Sequence, residues 1–260
     1  MDLRLQGRVA VVTGGTRGIG RATAIGLAAE GCDVVIAARG EAGLAAAAAA
    51  IEAAGSGRVA AVAADMMDPA TPARLIGRAL EAFGHLDILV ANTGGMVGAR
   101  DLAGSTHDDW AQTMQLNVLH AVDLLRAAAP ALAASDAAAA IFIASISGRA
   151  PTVSGAAYAA AKAALIHAAR SLAWEIGPHG IRVNALSPGS TLFEGGGWER
   201  AREGDPDRFA AFERLDFPRQ RLSTVGEIAD AVVFLASPRA AGINAADVHV
   251  DGGQRRPSMR

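Results

Sequence analysis

The chain has 260 residues, of which 51% are hydrophobic and 19% are charged, and this composition excludes a disordered polar protein. Its formal net charge of -2 provides no basic surface for nucleic acid or for an anionic membrane. The 30 glycines follow no three-residue period, which excludes a collagen-like chain. The one cysteine, Cys32, has no partner for an internal disulfide. What remains is a globular chain with a sizeable core.

The sequence predicts neither a secretion signal nor a membrane span. The chain reaches a glycine-rich loop shortly after Met1, without the apolar stretch of a signal peptide. The most apolar long stretch, residues 124–145, is interrupted by Arg126, Pro130 and Asp136, so it is too polar to cross a bilayer. We therefore expect a cytoplasmic protein with no membrane partner.

Hydrophobic runs alternate with helix-forming stretches along the first half of the chain. The short apolar, mostly β-branched runs predict strands, and the Ala-rich or amphipathic stretches between them predict helices. In chain order we predict a strand at 9–12, a helix ending at 30, a strand at 34–37, a helix at 43–54, a strand at 59–62, a helix at 71–83 and a strand at 88–91.

The same alternation continues in the second half, with one interruption. We predict a helix at 106–134, a strand at 140–143, a helix at 154–176, a strand at 181–186, a helix at 225–236 and a last strand at 247–250. The segment 190–222 breaks this alternation and contains three consecutive glycines at 195–197. Continuous apolar strands separated by helices predict a parallel sheet covered on both faces. We predict one α/β domain over residues 1–260, a doubly wound sheet of about seven strands flanked by helices.

A glycine-rich loop follows the first predicted strand. Its glycines, Gly14, Gly18 and Gly20, allow the backbone to approach a phosphate at the N-terminus of the next helix. Free N–H groups and the positive end of the helix dipole bind anions there. A purely structural turn is the alternative, but the position directly after the first strand favours the diphosphate of a dinucleotide.

The end of the second predicted strand favours a phosphorylated dinucleotide. An acidic residue at this position would bind the ribose 2′-hydroxyl of NAD. The sequence instead has Arg39, and a second arginine, Arg17, lies within the glycine loop. Two guanidinium groups favour the 2′-phosphate of NADP(H), whereas the alternative is that both are solvated surface residues in an arginine-rich chain.

The one tyrosine of the chain, Tyr158, and its one lysine, Lys162, lie four residues apart in a predicted helix. At this spacing the two side chains share one helix face. A neighbouring ammonium favours the phenolate, so we expect Lys162 to lower the pKa of Tyr158 from its usual value of about 10. The phenol would then serve general acid–base catalysis. Ser145, at the end of an apolar strand, is placed to donate a hydrogen bond to a substrate oxygen.

In their order along the chain, these motifs resemble the short-chain dehydrogenase/reductase family, and in particular its 3-oxoacyl reductases. The resemblance covers almost the whole chain and rests on Thr13-Gly14-x-x-x-Gly18-x-Gly20, Asp65, Asn92-Thr93-Gly94, Asn117, Ser145, Tyr158-x-x-x-Lys162, Pro188-Gly189 and Val250-Asp251-Gly252-Gly253. It implies a Rossmann-type sheet with strand order 3-2-1-4-5-6-7 and a homotetramer or homodimer.

The resemblance also implies the roles of the site residues. Tyr158 would be the catalytic acid/base, Ser145 would hold the carbonyl, and Asn117 would hold a water of the proton relay. Lys162 would lower the pKa of the tyrosine and bind the nicotinamide ribose, and Asp65 would meet the adenine. The expected cofactor-binding residues are Gly14, Thr16, Arg17, Gly18, Ile19, Gly20, Arg39, Asp65, Met66, Asn92, Gly94, Tyr158, Lys162, Pro188, Gly189 and Thr191. The histidines show no zinc-binding spacing, so no metal is expected.

The sequence departs from the family pattern at a few positions. The usual Asn-Asn-Ala-Gly segment reads Ala-Asn-Thr-Gly at 91–94. Phe193 stands where the family has a threonine, and Thr191 is the candidate to replace its contact with the carboxamide. Asp136 and His179 occupy places where members that act on acyl-carrier protein have basic residues. This disfavours a carrier-protein substrate.

The sequence thus predicts an NADP(H)-dependent oxidoreductase that reduces a ketone or a 3-oxoacyl group to a secondary alcohol. One alternative is an NAD-dependent alcohol dehydrogenase of the same family. A second is a family member that catalyses dehydration or isomerisation, and a third is a non-catalytic nucleotide-binding protein. The segment 190–222 holds four of the seven phenylalanines. It is either a lid over a small apolar substrate or ordinary packing at a subunit contact.

Overall fold

The computed structural model describes residues 1–259, and its centre is one parallel sheet. The strands are β1 (Val9–Thr13), β2 (Asp33–Ala38), β3 (Val59–Ala63), β4 (Ile88–Ala91), β5 (Ala139–Ile143), β6 (Arg182–Pro188), β7 (Thr191–Leu192), β8 (Ser223–Thr224) and β9 (Asp247–Val250). Seven of them form the sheet in the order β3-β2-β1-β4-β5-β6-β9, and β7 pairs with β8 alone. The predicted doubly wound sheet and its strand order are therefore confirmed.

The register of the sheet explains why its strands are continuous apolar runs. Ala10 in β1 pairs with Val34 of β2 on one side and with Ile88 of β4 on the other, all in parallel. Every residue of β1 is buried. Because helices cover both faces of such a strand, neither side of it can be polar.

Nine α-helices lie in the part of the chain that the structure describes. They are α1 (Gly18–Ala29), α2 (Glu41–Glu52), α3 (Thr71–Phe83), α4 (His107–Met114), α5 (His120–Leu132), α6 (Ala156–Ile176), α7 (Gly197–Gly204), α8 (Pro206–Asp216) and α9 (Val225–Ala236). Leu27, Leu44 and Val232 place α1, α2 and α9 on one face of the sheet. Leu75 and Leu165 belong to the core on the other face, with α3, α5 and α6. Within residues 1–259, no helix has the length and apolar character of a membrane span.

The helix predicted at 106–134 differs from the prediction in one respect. A π-helical turn at Gln115–Leu119 separates α4 from α5. A π-helical turn contains one more residue than a turn of regular α-helix, and such turns are frequent at functional sites. The helix begins at a capping box, in which Thr106 and Asp109 bind each other's backbone N–H groups.

The segment 190–222 forms a small helical unit with its own apolar cluster. Its two helices, α7 and α8, enclose Phe209, Phe212 and Phe217, all of them buried. Trp198 stacks on Phe212 with ring centroids 5.0 Å apart. The aromatic residues of this segment therefore pack mainly on one another, beside the carboxyl edge of the sheet.

Candidate active site

A cleft of about 1260 Å³ extends along the carboxyl edge of the sheet, from the loop after β1 to helix α7. Open α/β sheets bind ligands at this edge, where the strand order reverses. The residues predicted from sequence that line the cleft are Gly14, Thr16, Arg17, Gly18, Ile19, Arg39, Asp65, Met66, Asn92, Gly94, Ser145, Tyr158, Lys162, Pro188, Gly189 and Thr191. Gly20 and Asn117 lie behind its wall and shape it.

The glycine loop leaves the N-terminus of α1 open to an anion. Gly14 has φ +67° and Gly18 has φ +55°, conformations that favour glycine. A Cβ on Gly20 would lie 2.3 Å from the carbonyl oxygen of Gly14, so glycine is required there as well. The first turn of α1 has neither a side-chain cap nor an acidic residue. Its N–H groups and its positive dipole end therefore remain available for a phosphate.

Asn92 and Thr13 hold the loop after β4 against the glycine loop. The Asn92 side chain donates to the carbonyl oxygen of Thr13 at 2.8 Å. The backbone N–H groups of Asn92 and Thr93 both donate to the Thr13 hydroxyl at 3.0 Å. The side-chain amide of Asn92 therefore holds the floor of the cleft in place.

Two exposed cations stand at the entrance of the cleft. Arg17 lies in the glycine loop and Arg39 follows β2, and both line the cleft. Neither forms an ion pair with a carboxylate of residues 1–259. Asp65 follows β3, where its carboxylate accepts from the backbone N–H of Met67 at 3.0 Å.

Tyr158, Ser145 and Lys162 converge at the middle of the cleft. The hydroxyl groups of Tyr158 and Ser145 are hydrogen-bonded, and the Ser145 oxygen also accepts from the N–H of Ser147 at 3.1 Å. The Lys162 ammonium donates to the Ile143 carbonyl oxygen at 2.7 Å and lies 5.6 Å from the centre of the Tyr158 ring. Lys162 is only 2% exposed, and this burial lowers its pKa to about 7.

The electrostatics of the phenol differ from the sequence prediction. Burial raises the pKa of Tyr158, and two groups oppose this rise: the hydrogen bond from Ser145 and the charge of Arg100. The Lys162 ammonium is directed to the Ile143 carbonyl oxygen, and burial lowers its own pKa.

Asn117 lies in the π-helical turn and is fully buried. Its side-chain N–H groups donate to the carbonyl oxygens of Gly95 at 2.6 Å and Thr113 at 2.8 Å, and its oxygen accepts from the N–H of Gly95 at 3.0 Å. A Cβ on Gly94 would lie 2.6 Å from this oxygen and 2.9 Å from Nζ of Lys162. The Asn117 side chain therefore fixes the loop over Lys162, and only glycine fits at position 94.

Two aromatic residues of the segment 190–222, Phe193 and Trp198, line the cleft. Phe193 packs between two glycines: its ring lies 3.1 Å from a Cβ built on Gly18 and 3.2 Å from one on Gly196. It thereby joins the segment 190–222 to the glycine loop. Thr191, the predicted replacement for the family threonine, is buried and donates to the carbonyl oxygen of Gly189 at 3.0 Å. Other lining residues were not predicted from sequence because no motif marks them; they include Val97, Arg100, Gln112, Leu116, Thr152, Ser154, Pro257 and Ser258.

Comparison with known sequences identifies the family of the chain. A family model described as enoyl-(acyl carrier protein) reductase matches residues 14–255. An uncharacterized oxidoreductase of Mycobacterium tuberculosis is 42% identical over 257 residues, 98% of this chain and 95% of that protein. The chain belongs to the short-chain dehydrogenase/reductase family. The 3-oxoacyl-[acyl-carrier-protein] reductase of Escherichia coli is 36% identical over 251 residues, 96% of this chain and 98% of that protein.

Solved structures of the family superpose closely. An L-sorbose reductase from Gluconobacter frateurii, complexed with NADPH and L-sorbose, has a TM-score of 0.91 at 31% identity and covers 98% of each chain. A 7α-hydroxysteroid dehydrogenase complexed with NADH and 7-oxoglycochenodeoxycholic acid has a TM-score of 0.90 at 28% identity, over 100% of this chain and 98% of that one. The protein is thus an oxidoreductase of a family that binds nicotinamide cofactors.

The residues present fit such a cofactor. The glycine loop packs so closely on its neighbours, among them Asn92 and Phe193, that a Cβ would displace them, and the N-terminus of α1 offers uncapped N–H groups beside this loop. The cleft continues from this cradle to Tyr158 and Lys162 without leaving the carboxyl edge of the sheet. A dinucleotide fits this arrangement, because its diphosphate would lie at the glycine loop and its reactive ring would lie near Tyr158 and Lys162.

Proposed function

We propose that the protein is an NADP(H)-dependent reductase that converts a ketone or a 3-oxoacyl group to a secondary alcohol. The observation that carries this proposal is the layout of one cleft. At one end are the unpaired cations Arg17 and Arg39, and at the middle are the hydrogen-bonded hydroxyl groups of Tyr158 and Ser145 beside the buried Lys162.

The cofactor is held by groups along the carboxyl edge of the sheet. The glycine loop and the N-terminus of α1 bind its diphosphate. Arg17 and Arg39 bind the 2′-phosphate with charge-assisted hydrogen bonds, and Asp65 with Met66 flanks the adenine. Lys162 binds the nicotinamide ribose. When bound, the nicotinamide supplies the hydride for the carbonyl carbon. The remaining wall is formed by Asn92, Gly94, Pro188, Gly189 and Thr191.

Tyr158 and Ser145 act on the substrate oxygen. In the reductive direction the Tyr158 hydroxyl donates its proton to this oxygen, while the Ser145 hydroxyl donates a hydrogen bond to it. A phenol with the usual pKa of about 10 is protonated at neutral pH, as a proton donor must be, and burial raises the pKa of Tyr158 further. In the oxidative direction the Tyr158 oxygen would accept the proton from the hydroxyl group of the substrate.

Relatives support the reductase proposal and also favour one alternative. The Gluconobacter sorbose reductase was solved with NADPH, and a short-chain dehydrogenase from Burkholderia cenocepacia with NADP. The 7α-hydroxysteroid dehydrogenase was solved with NADH, which is the observation that favours an NAD-dependent alcohol dehydrogenase. We favour NADP(H) because Arg39 follows β2, at the place where a carboxylate commonly binds the ribose 2′-hydroxyl of NAD.

We infer that residues 190–222 form a lid over an apolar substrate. Phe193 and Trp198 line the cleft, and Trp198 is supported from behind by Phe212. We also infer a homodimer or homotetramer. The outer surface of α6 exposes 82% of Trp174, a large apolar side chain that a subunit contact would cover.

The proposal is tested by following cofactor consumption and alcohol formation with a panel of aliphatic, cyclic and aromatic ketones and 3-oxoacyl thioesters. We expect NADPH to be oxidised in a one-to-one ratio with alcohol formed, and NADH to support a much slower reaction. The absence of alcohol with every ketone and thioester of the panel would contradict the proposal. A clear preference for NADH would instead establish the NAD-dependent alternative.

A further inference from the structure

The substrate end of the cleft carries an unpaired cation that the proposed reaction does not use. Among the charged residues that line the cleft, Arg17, Arg39 and Asp65 lie at the end proposed for the cofactor. Lys162 is buried at the middle of the cleft. The remaining one is Arg100, whose side chain pairs with no carboxylate within residues 1–259. Within residues 1–259, no acidic side chain lines this end of the cleft.

Arg100 lies close to the reacting group. Its Nη2 is 3.9 Å from a Cβ built on Gly155, the residue that precedes α6. Tyr158 lies in the first turn of that helix, and the charge of Arg100 lowers the pKa of the phenol. An anion bound by Arg100 would therefore stand within one small molecule's length of the carbonyl oxygen that Tyr158 protonates.

The start of α6 adds to the positive potential that the exposed guanidinium of Arg100 creates at this end of the cleft. The N-terminus of a helix carries a positive partial charge, and α6 has neither a side-chain cap nor an acidic residue in its first turn. A guanidinium group and a helix N-terminus thus face the same space with like sign. Both favour negative charge there, as at anion-binding helix termini in general.

The backbone that presents Arg100 is fixed rather than free. Its carbonyl oxygen accepts from the N–H of Gly155 at 2.7 Å. On the other side, the Asp109 carboxylate accepts from the N–H groups of Ala99 and Thr106. It also fills the space above Gly98, where a Cβ would lie 2.0 Å from Oδ1. Gln112, Thr152 and Ser154 add further hydrogen-bond donors at the same end of the cleft.

We propose that Arg100 binds an anionic group of the substrate, a carboxylate or a phosphate carried by the same molecule as the reacting carbonyl. This inference rests on the proposed reductase function and names its substrate class: an anionic ketone, either an oxo acid or a 3-oxoacyl thioester of a phosphate-bearing carrier molecule. The apolar walls formed by Val97, Leu116 and Trp198 bind the carbon chain between the two groups.

Two matched pairs of substrates test this inference. The first pair is 4-oxopentanoate and its methyl ester, and the second is 3-oxobutyryl-CoA and the neutral 3-oxobutyryl N-acetylcysteamine thioester. The readout is the ratio of kcat/KM for the anionic member to that for the neutral member, measured with NADPH. The variants are Arg100→Ala and Arg100→Lys. The control is Arg170→Ala, which removes an exposed arginine from α6 outside the cleft.

We expect the native protein to prefer the anionic member of at least one pair, and the responding pair identifies the source of the anion. Arg100→Ala should reduce this preference roughly ten- to hundred-fold, mainly through KM, because a hydrogen bond to a charged group is lost. Arg100→Lys should retain part of the preference, and Arg170→Ala should retain all of it. An unchanged ratio in Arg100→Ala, or no preference in the native protein, would overturn the inference while leaving the reductase proposal intact.

A binding measurement separates failure of this inference from failure of the proposed function. If none of the four compounds is reduced, the reductase proposal fails for these substrates. Calorimetric titration of the NADPH complex with hexanoate and with hexan-1-ol then still decides the role of Arg100. Hexanoate should bind more tightly than the alcohol and should lose this advantage in Arg100→Ala. Equal binding of hexanoate to both proteins would overturn the inference.

Discussion

Two side chains on one face of α6, Tyr158 and Lys162, have different surroundings in the site. Tyr158 faces the cleft and is hydrogen-bonded to Ser145, whereas Lys162, one turn later, is 2% exposed and holds the Ile143 carbonyl. The sequence predicted this pair from the spacing alone, since side chains four residues apart share a helix face. It did not predict that Arg100 lines the same cleft near the start of α6, because the loop and the helix meet only in the folded chain.

The role of Tyr158 predicts a specific loss in Tyr158→Phe. The variant keeps the ring and its packing but loses the proton, so we expect turnover to fall by roughly 100- to 10,000-fold, the usual contribution of a general acid. The dissociation constant for NADPH should stay nearly the same. Steady-state rates with a ketone and a fluorescence titration with NADPH measure the two quantities. Retention of more than a few per cent of the native rate would show that another group supplies the proton.

Among the elements, the C-terminal strap, residues 254–258, holds the segment 190–222 that we propose as a lid near both of its ends. Gln254 bonds both the backbone N–H and the hydroxyl of Ser190, at 2.7 Å and 2.9 Å. Arg256 makes a two-point ion pair with Asp216 at the end of α8, at 2.6 Å and 2.8 Å. Pro257 and Ser258 of the strap then line the cleft. Local sequence patterns could not predict this element, because its partners are far away along the chain.

The strap predicts that Arg256→Ala loosens the lid. Asp216 is 2% exposed, so removal of Arg256 leaves a buried carboxylate without its partner. We expect faster amide hydrogen exchange in α8 and in residues 254–258, and an increase in KM for the substrate, with exchange in β1 unchanged. Arg219→Ala is the control, because it breaks an exposed ion pair of Arg219 with Glu227 near the same segment. Similar exchange in α8 of both variants would show that the ion pair does not hold the lid.

At the scale of the whole molecule, the fold was largely predictable and the details of the cleft were not. Continuous apolar strands such as β1 and β4 follow from burial on both faces, and the observed sheet has the predicted order. The helix bounds at 71–83 were also correct. The π-helical turn at Gln115–Leu119 was not predicted, since one extra residue hardly changes the apolar period. Helices α7 and α8 were missed because their aromatic residues pack on one another rather than on the sheet.

The packing of this fold predicts a pH-dependent stability through His120. The ring is 1% exposed, and neither nitrogen has a hydrogen-bond partner of good geometry. Burial and the charge of Lys162 lower the pKa of His120 from 6.5 to about 4, and the backbone carbonyls of Leu116 and Gln115 and the charge of Asp123 only partly oppose this. The unfolded chain therefore binds a proton at a higher pH than the folded one. Stability is complete above about pH 6.5 and falls as the pH decreases towards 4, by about 3 kcal/mol from this group.

Denaturant unfolding at a series of pH values checks this expectation. His120→Leu cannot bind the proton in either state, so its free energy of unfolding should fall less than that of the native protein between pH 6.5 and 4. His167→Leu is the control, because it replaces an exposed histidine of α6. A decline in His120→Leu as steep as that of the native protein would show that other groups cause the acid sensitivity.

The most direct test of the account is a parallel titration with NADPH and NADH, because the whole assignment depends on a cofactor cleft with a 2′-phosphate site. The proteins compared are the native chain, Arg39→Ala, and Arg21→Ala as a control from the exposed surface of α1. We predict tight NADPH and weak NADH binding by the native protein and by the control. Arg39→Ala should lose roughly ten- to hundred-fold in NADPH affinity and little in NADH affinity. An equal loss for both cofactors, or tighter binding of NADH by the native protein, would contradict the account.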